Sequence, residues 1–180
     1  MKKLIFILGL ATLLGGSVWA SQADGIRQHD DTQTLLEGIE VGAQAPDFTL
    51  KDLQGNEFKL SSLYGKGKYT LLDFWGSWCI WCIRGLPEMK KTYEAYKDKV
   101  EFLSIDCRES EEKWREGVKK YEIPWLHVYN PVGEGDVAKA YEVRGYPWKI
   151  LLDETGKIVK IVMGEDPEFY TYMNEKFGAR

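Results

Sequence analysis

The order in which apolar runs and helical stretches alternate does most to restrict the folds open to this 180-residue chain. Tyr69–Trp75 (YTLLDFW) reads as a buried strand, residues 84–96 as a helix and residues 100–105 (VEFLSI) as a second buried strand. Residues 110–121 follow as a helix capped by Ser110, with Glu111 and Glu112 in its first turn. A strand that returns to its sheet through a helix lies parallel to its predecessor, by a right-handed crossover. In open sheets of this kind, ligand chemistry gathers at the strand ends. The run Trp78-Cys79-Ile80-Trp81-Cys82 falls at such an end.

Two thiols separated by two residues can close a small reversible disulfide, and an exposed thiolate among them can attack another protein's disulfide. The same spacing also serves as half of a zinc site, so the setting must decide. Here the pair stands between a buried strand and a helix, which places Cys79 at a helix N-terminus. Unpaired backbone N–H groups and the helix dipole there stabilise an anion and lower a thiol pKa.

The remaining segments surround this unit. Residues 47–50 and 57–60 alternate with period two around Leu53-Gln54-Gly55-Asn56 and form a β-hairpin; residues 61–67 turn into the first central strand. A short helix is expected over 136–141. Trp148–Leu152 and residues 157–163 flank Asp153-Glu154-Thr155-Gly156 as a second hairpin, and Pro167–Phe177 closes the chain as a helix.

At the other end, Lys2 and Lys3 precede an apolar stretch from Leu4 to Leu14 and small residues up to Val18-Trp19-Ala20. Residues 1–20 read as a secretory signal peptide, too short for a comfortable membrane span, with cleavage after Ala20 or at a second small-residue site ending at Ala23. Retention as an uncleaved anchor is the alternative, and it is the sole membrane attachment the sequence offers. No cysteine follows to carry a lipid. Residues 21–40 are polar and read as a linker, leaving 41–180 as the domain. Export implies an oxidising, periplasmic or otherwise extracytoplasmic setting, where three cysteines are too few for a disulfide framework. The formal charge is −4, and more negative without Lys2 and Lys3, which argues against a nucleic-acid partner.

From Val41 to Phe177 the chain resembles the thioredoxin superfamily, and within it the exported TlpA and ResA type. Three ordered landmarks carry the resemblance: Val41-Gly42-x-x-Ala45-Pro46-Asp47-Phe48-x-Leu50, then Asp73-Phe74-Trp75-x-x-Trp78-Cys79-x-x-Cys82, then Arg144-Gly145-Tyr146-Pro147. It implies an α/β, thioredoxin-like fold, a central mixed β-sheet flanked by helices with an N-terminal β-hairpin extension. It also implies thiol–disulfide exchange with disulfide-bearing protein substrates, in the reducing direction, with electrons drawn from a membrane electron-donor protein. Cytochrome c maturation is one client pathway of such proteins. No cofactor is implied.

By the same resemblance Cys79 is the attacking, more exposed thiol and Cys82 the resolving one. Pro147 is the cis-proline whose loop faces the cysteines and pairs with substrate. Asp73, an acid in an apolar strand, should have its pKa raised by burial and suit proton transfer to or from Cys82; the alternative is that it reaches water at the sheet edge. Thioredoxins set a Lys on the neighbouring strand, and residues 102–105 offer none. Many ResA-like proteins carry a Glu three positions beyond the second cysteine, where this chain has Gly85. Pro87 matches a helix-bending proline. The inner pair Ile80-Trp81 has neither the Pro common in reducing members nor the His found in strong oxidants, so it indicates no particular redox potential. Trp78, Trp81 and Tyr146 are candidate substrate contacts, with core packing the competing reading for Trp78.

Cys107 reads as a small buried hydrophobe rather than a third redox thiol, and His127 as a surface or half-buried strand residue. With His29 in the linker, the histidines form no metal-ligand cluster. A thiol peroxidase is the enzymatic alternative, although Gly76-Ser77-Trp78 lacks the Pro and Thr such a cysteine usually follows. A metal-binding or copper-delivery module is the non-enzymatic one, and it would want a His near the pair.

Overall fold

The structure, a computed structural model, describes residues 38–178 except residue 134. The signal peptide expected over 1–20, all but the end of the linker expected over 21–40, and His29 lie outside the described residues.

Strand β3 (Tyr69–Trp75) is buried along almost its whole length. Successive side chains of a strand point to opposite faces, so β3 feeds two cores. Leu71 and Trp75 join one with Trp114, Phe169 and Met173, while Leu72 and Phe74 join the other with Leu103, Ile105 and Tyr141. The parallel neighbour β4 (Val100–Asp106) returns through α1 (Ile80–Tyr96), and β5 (Leu126–Tyr129) returns through α2 (Glu111–Lys120). Beyond them come α3 (Val137–Ala140), the antiparallel pair β6 (Trp148–Leu152) and β7 (Ile158–Met163), and α4 (Pro167–Phe177).

The N-terminal hairpin, β1 (Thr49–Asp52) and β2 (Glu57–Lys59), is more than an extension: β1 pairs antiparallel with β5, so the hairpin completes one mixed sheet. The strand order is β2-β1-β5-β4-β3-β6-β7. A single 3-10 turn over Leu60–Leu63 leads from the hairpin towards β3.

Helix boundaries follow their caps. In α2 the Ser110 hydroxyl accepts from the Lys113 N–H at 3.3 Å, and Trp114 and Val118 fall four apart on the buried face. In α4 the Asp166 carboxylate accepts from the Glu168 N–H at 2.9 Å, with Pro167 in the first turn. Helix α1 starts at Ile80, earlier than the expected 84, because Cys79 itself is the N-cap. Its Sγ accepts from the Cys82 N–H at 3.1 Å and its carbonyl from the Ile83 N–H at 3.1 Å. Pro87 lies inside α1 and removes one backbone donor from it.

His127 departs from expectation. His127 is buried, not at the surface, because its ring lies stacked on Trp125 and edge-on to Trp75. Burial pushes its pKa down to about 3. The folded value therefore lies below that of the unfolded chain, about 6.5, so the unfolded chain binds the proton first. Stability is lost as pH falls from about 6.5 towards the folded value, by about 2 kcal/mol at pH 5. His127→Phe should remove this part of the loss between pH 7 and pH 5, measured as the change in urea midpoint relative to the wild type.

Candidate active site

The chain leaves β3 through Gly76-Ser77-Trp78 in a turn closed by the Cys79 N–H on the Gly76 carbonyl at 3.0 Å. A Cβ at position 76 would collide with the Trp78 indole and crowd the Cys107 carbonyl. Its absence lets the indole fold back and donate from Nε1 to that carbonyl at 2.8 Å. Ser77 fixes the turn from the other side: its N–H donates to Glu109 Oε1 at 2.6 Å, and its hydroxyl donates to Glu109 Oε2. Strand β4 and the loop after it thus hold the turn that presents the cysteines.

Cys79 and Cys82 are joined in a disulfide, with their Cα atoms 5.3 Å apart. The expected difference in exposure between them is not seen: Cys79 is 5% and Cys82 6% exposed. Both sulfurs are spent on each other, and both residues pack in the cluster of Trp75, Leu86 and Met89. What stands exposed is the ring of side chains around them, with Trp78 at 49% and Ile80 and Trp81 at 57%. Trp78 meets Tyr146 edge to face at 5.3 Å, the Arg84 guanidinium lies 4.9 Å from the Trp81 ring, and that of Arg108 lies 5.5 Å from the Tyr146 ring. Trp78 is therefore a rim residue with a fixed orientation rather than core packing. The Tyr146–Pro147 peptide is cis. The Pro147 carbonyl accepts from the Gly164 N–H at 2.8 Å, which ties this loop to the end of β7.

Behind Cys82 lies a cavity of about 10 Å³, room for a single water, lined by Asp73, Trp75, Gly85, Leu86, Pro147, Lys149 and Glu165 among others. Asp73 does not reach water at a sheet edge; β4 and β6 flank its strand. The registers set His127, Ser104, Asp73 and Lys149 side by side across four strands as a buried polar row. Ser104 Oγ donates to Asp73 Oδ2 at 3.2 Å and accepts from Trp125 Nε1 at 2.8 Å. Burial raises the Asp73 pKa, against the pull of Lys149, with Glu165 adding to the rise and the Ser104 bond opposing it.

The basic neighbour expected to be missing is present. It is Lys149, directly across from Asp73 on β6 rather than on β4, and it forms an ion pair with Glu165 at 3.0 Å. The carboxylate missing from position 85 is likewise replaced in space. A Cβ on Gly85 would collide with the carboxylate of Glu165, which occupies that room from the β7–α4 connection. Tyr170 donates its hydroxyl to the other Glu165 oxygen. Lys149 had a sequence signal, being the lone charge in WKILL, the same oddity that marks Asp73; Glu165, in a connection, had none.

Cys107 is fully buried and unpaired, and burial pushes its thiol up to about 12, so it behaves as core. Its neighbour Asp106 is also fully buried, and among the described residues neither carboxylate oxygen has a hydrogen-bond donor. Burial, reinforced by the nearby Glu109 carboxylate, pushes its pKa up to about 9. Among the described residues no group of three or more His, Cys, Asp or Glu side chains is arranged to hold a metal ion. Nor is any helix there long and apolar enough to cross a membrane.

The model of the AhpC/TSA family matches residues 41–161. The chain is 33% identical over 168 residues to the thiol-disulfide oxidoreductase ResA of Bacillus thuringiensis subsp. konkukian, covering 92% of this chain and 91% of that protein. To the ResA of Bacillus subtilis it is 35% identical over 141 residues, 77% of this chain and 76% of the relative. Among solved structures, the thioredoxin domain of a thiol-disulfide oxidoreductase from Bacteroides vulgatus superposes with a TM-score of 0.67 at 32% identity, over 77% of this chain and 98% of that one. The chain belongs to the AhpC/TSA family, as a thiol-disulfide oxidoreductase with the thioredoxin-like fold.

Proposed function

We propose that the chain is exported and reduces disulfides of protein substrates outside the cytoplasm through Cys79 and Cys82. The observation that carries this reading is the pairing of the two thiols at the N-terminus of α1, beneath an exposed aromatic rim and above a buried carboxyl.

In the reduced enzyme the Cys79 thiolate, stabilised by the helix terminus and the Cys82 N–H, attacks a substrate sulfur. A Cys79–substrate bond forms, the substrate disulfide breaks, and the first substrate thiolate leaves and takes a proton. Cys82 then gives its proton to the Asp73 carboxylate through the small cavity and attacks Cys79. The second substrate thiolate leaves as the Cys79–Cys82 disulfide closes. Two electrons have passed to the substrate, and a membrane electron-donor protein returns them to the enzyme. Trp78, Trp81 and Tyr146 offer the substrate apolar contact, and the Pro147 loop bounds the site opposite α1. The leader and linker over 1–40 deliver the domain, 41–180, to its compartment.

Direction is tested by equilibrating the Cys79/Cys82 couple against a thiol buffer of known potential. A net reductase should poise near thioredoxin, at about −270 mV, whereas a value near DsbA, at about −120 mV, would make the enzyme a net oxidant.

A further inference from the structure

Among the described residues Lys149 is the single cation lining the cavity behind Cys82, and two carboxylates compete for it. Asp73 stands directly across the strand pair; Glu165 reaches in from the connection after β7. The ammonium goes to Glu165, at 3.0 Å from Oε2, while Asp73 takes its hydrogen bond from Ser104. Both Glu165 oxygens are committed, the second to the Tyr170 hydroxyl. Gly85 makes this arrangement possible, since any side chain there would displace the carboxylate. The preceding Gly164, at φ +85, is tied to the Pro147 carbonyl, so the connection that carries Glu165 is fixed to the loop facing the cysteines.

We infer that Glu165 is a positioning residue for the resolving step: by holding Lys149 it denies Asp73 a counter-ion and so keeps Asp73 a strong base for the Cys82 thiol. This rests on the Cys79/Cys82 exchange proposed above. A buried acid with an unclaimed ammonium beside it ionises easily and becomes a weak base; one whose neighbouring ammonium is claimed holds its proton more tightly. Proton transfer from a thiol is most effective when the two affinities are close. The groups acting on Asp73 are Lys149 from β6, Ser104 from β4, Cys82 from α1 and Glu165 from the β7–α4 connection. Tyr170 of α4 acts through Glu165. Glu165 also lines an open groove with Arg84, Glu88, Pro167 and Tyr170, so solvent reaches the tuning carboxylate while Asp73 stays enclosed.

The test reads Asp73 by carboxyl carbon NMR in the oxidised protein, where no turnover is needed, alongside the pH profile of mixed-disulfide resolution. Glu165→Gln frees Lys149 for Asp73, and the Asp73 midpoint should move to lower pH by about tenfold in proton concentration. The acid limb of the profile should move to lower pH with it. The double variant Glu165→Gln/Lys149→Met removes the freed charge and should return the midpoint to the wild-type value or above. Gly85→Ala, which pushes Glu165 aside with its charge intact, should move the midpoint in the same direction as Glu165→Gln and carries the test if that variant does not fold. An unmoved midpoint in the folded single variants, or a double variant that stays low, overturns the inference. Should Asp73→Asn leave the pH profile unchanged, the assignment of Asp73 as the base fails instead, and the NMR result stands apart from it.

Discussion

Cys79→Ala should lose reduction of a protein disulfide such as that of insulin, by about a thousandfold or more, because the variant has no nucleophile at the helix terminus. Cys82→Ala should fail differently. It keeps the attacking sulfur as helix N-cap, so it still opens a substrate disulfide, but nothing resolves the product. A covalent enzyme–substrate species should accumulate and be visible by mass spectrometry under non-reducing conditions. The asymmetry between the variants is the signature: one silent, one trapped. Turnover at the wild-type rate by Cys79→Ala would reject the assigned nucleophile, and trapping by Cys79→Ala instead of Cys82→Ala would exchange the two roles.

Asp106→Asn should stabilise the protein at neutral pH. Asp106 is fully buried, lacks a donor for either oxygen, and is held protonated by burial and by Glu109, with its pKa at about 9. In the unfolded chain the same carboxyl ionises near its ordinary value, about 3.9. Between those values the unfolded state binds fewer protons than the folded one, so stability falls as pH rises. At pH 7 the gross cost is about 4 kcal/mol. Asparagine is neutral in both states but still buries an amide, which offsets part of the gain. A net increase of about 2 kcal/mol is expected at pH 7, read from the urea midpoint, fading below about pH 4 where both states are protonated. A destabilised Asp106→Asn at pH 7 would mean that Glu109 relies on the acidic proton to hold Ser77 and the turn before Cys79.

Much of this was legible in the chain because local pattern and tertiary position coincide. The strand–turn–helix around Cys79, the two hairpins and the helix over Pro167–Phe177 each carry their own punctuation, and the structure keeps them with boundary changes of a few residues. The larger displacement, at the start of α1, arose because a cysteine sulfur replaced the usual hydroxyl or carboxylate cap. What sequence left hidden depends on register. Lys149 stands beside Asp73 only because β6 joins β3 antiparallel at one particular offset, so the basic neighbour comes from β6 rather than β4. Glu165 replaces a side chain at position 85 from eighty residues away. His127 is buried because the fold sets Trp75, from the end of β3, against its ring.

The N-terminal hairpin sets β2 at one edge of the sheet. Strand β2 is three residues long, with exposed Glu57 and Lys59 at its ends, so the rim it forms gives an approaching chain little to template on. A protease cut after residue 60 would let β1 and β2 peel away and bare the backbone of Leu126–Tyr129. The clipped enzyme would be prone to strand-wise aggregation, a liability that a single proteolytic event would introduce.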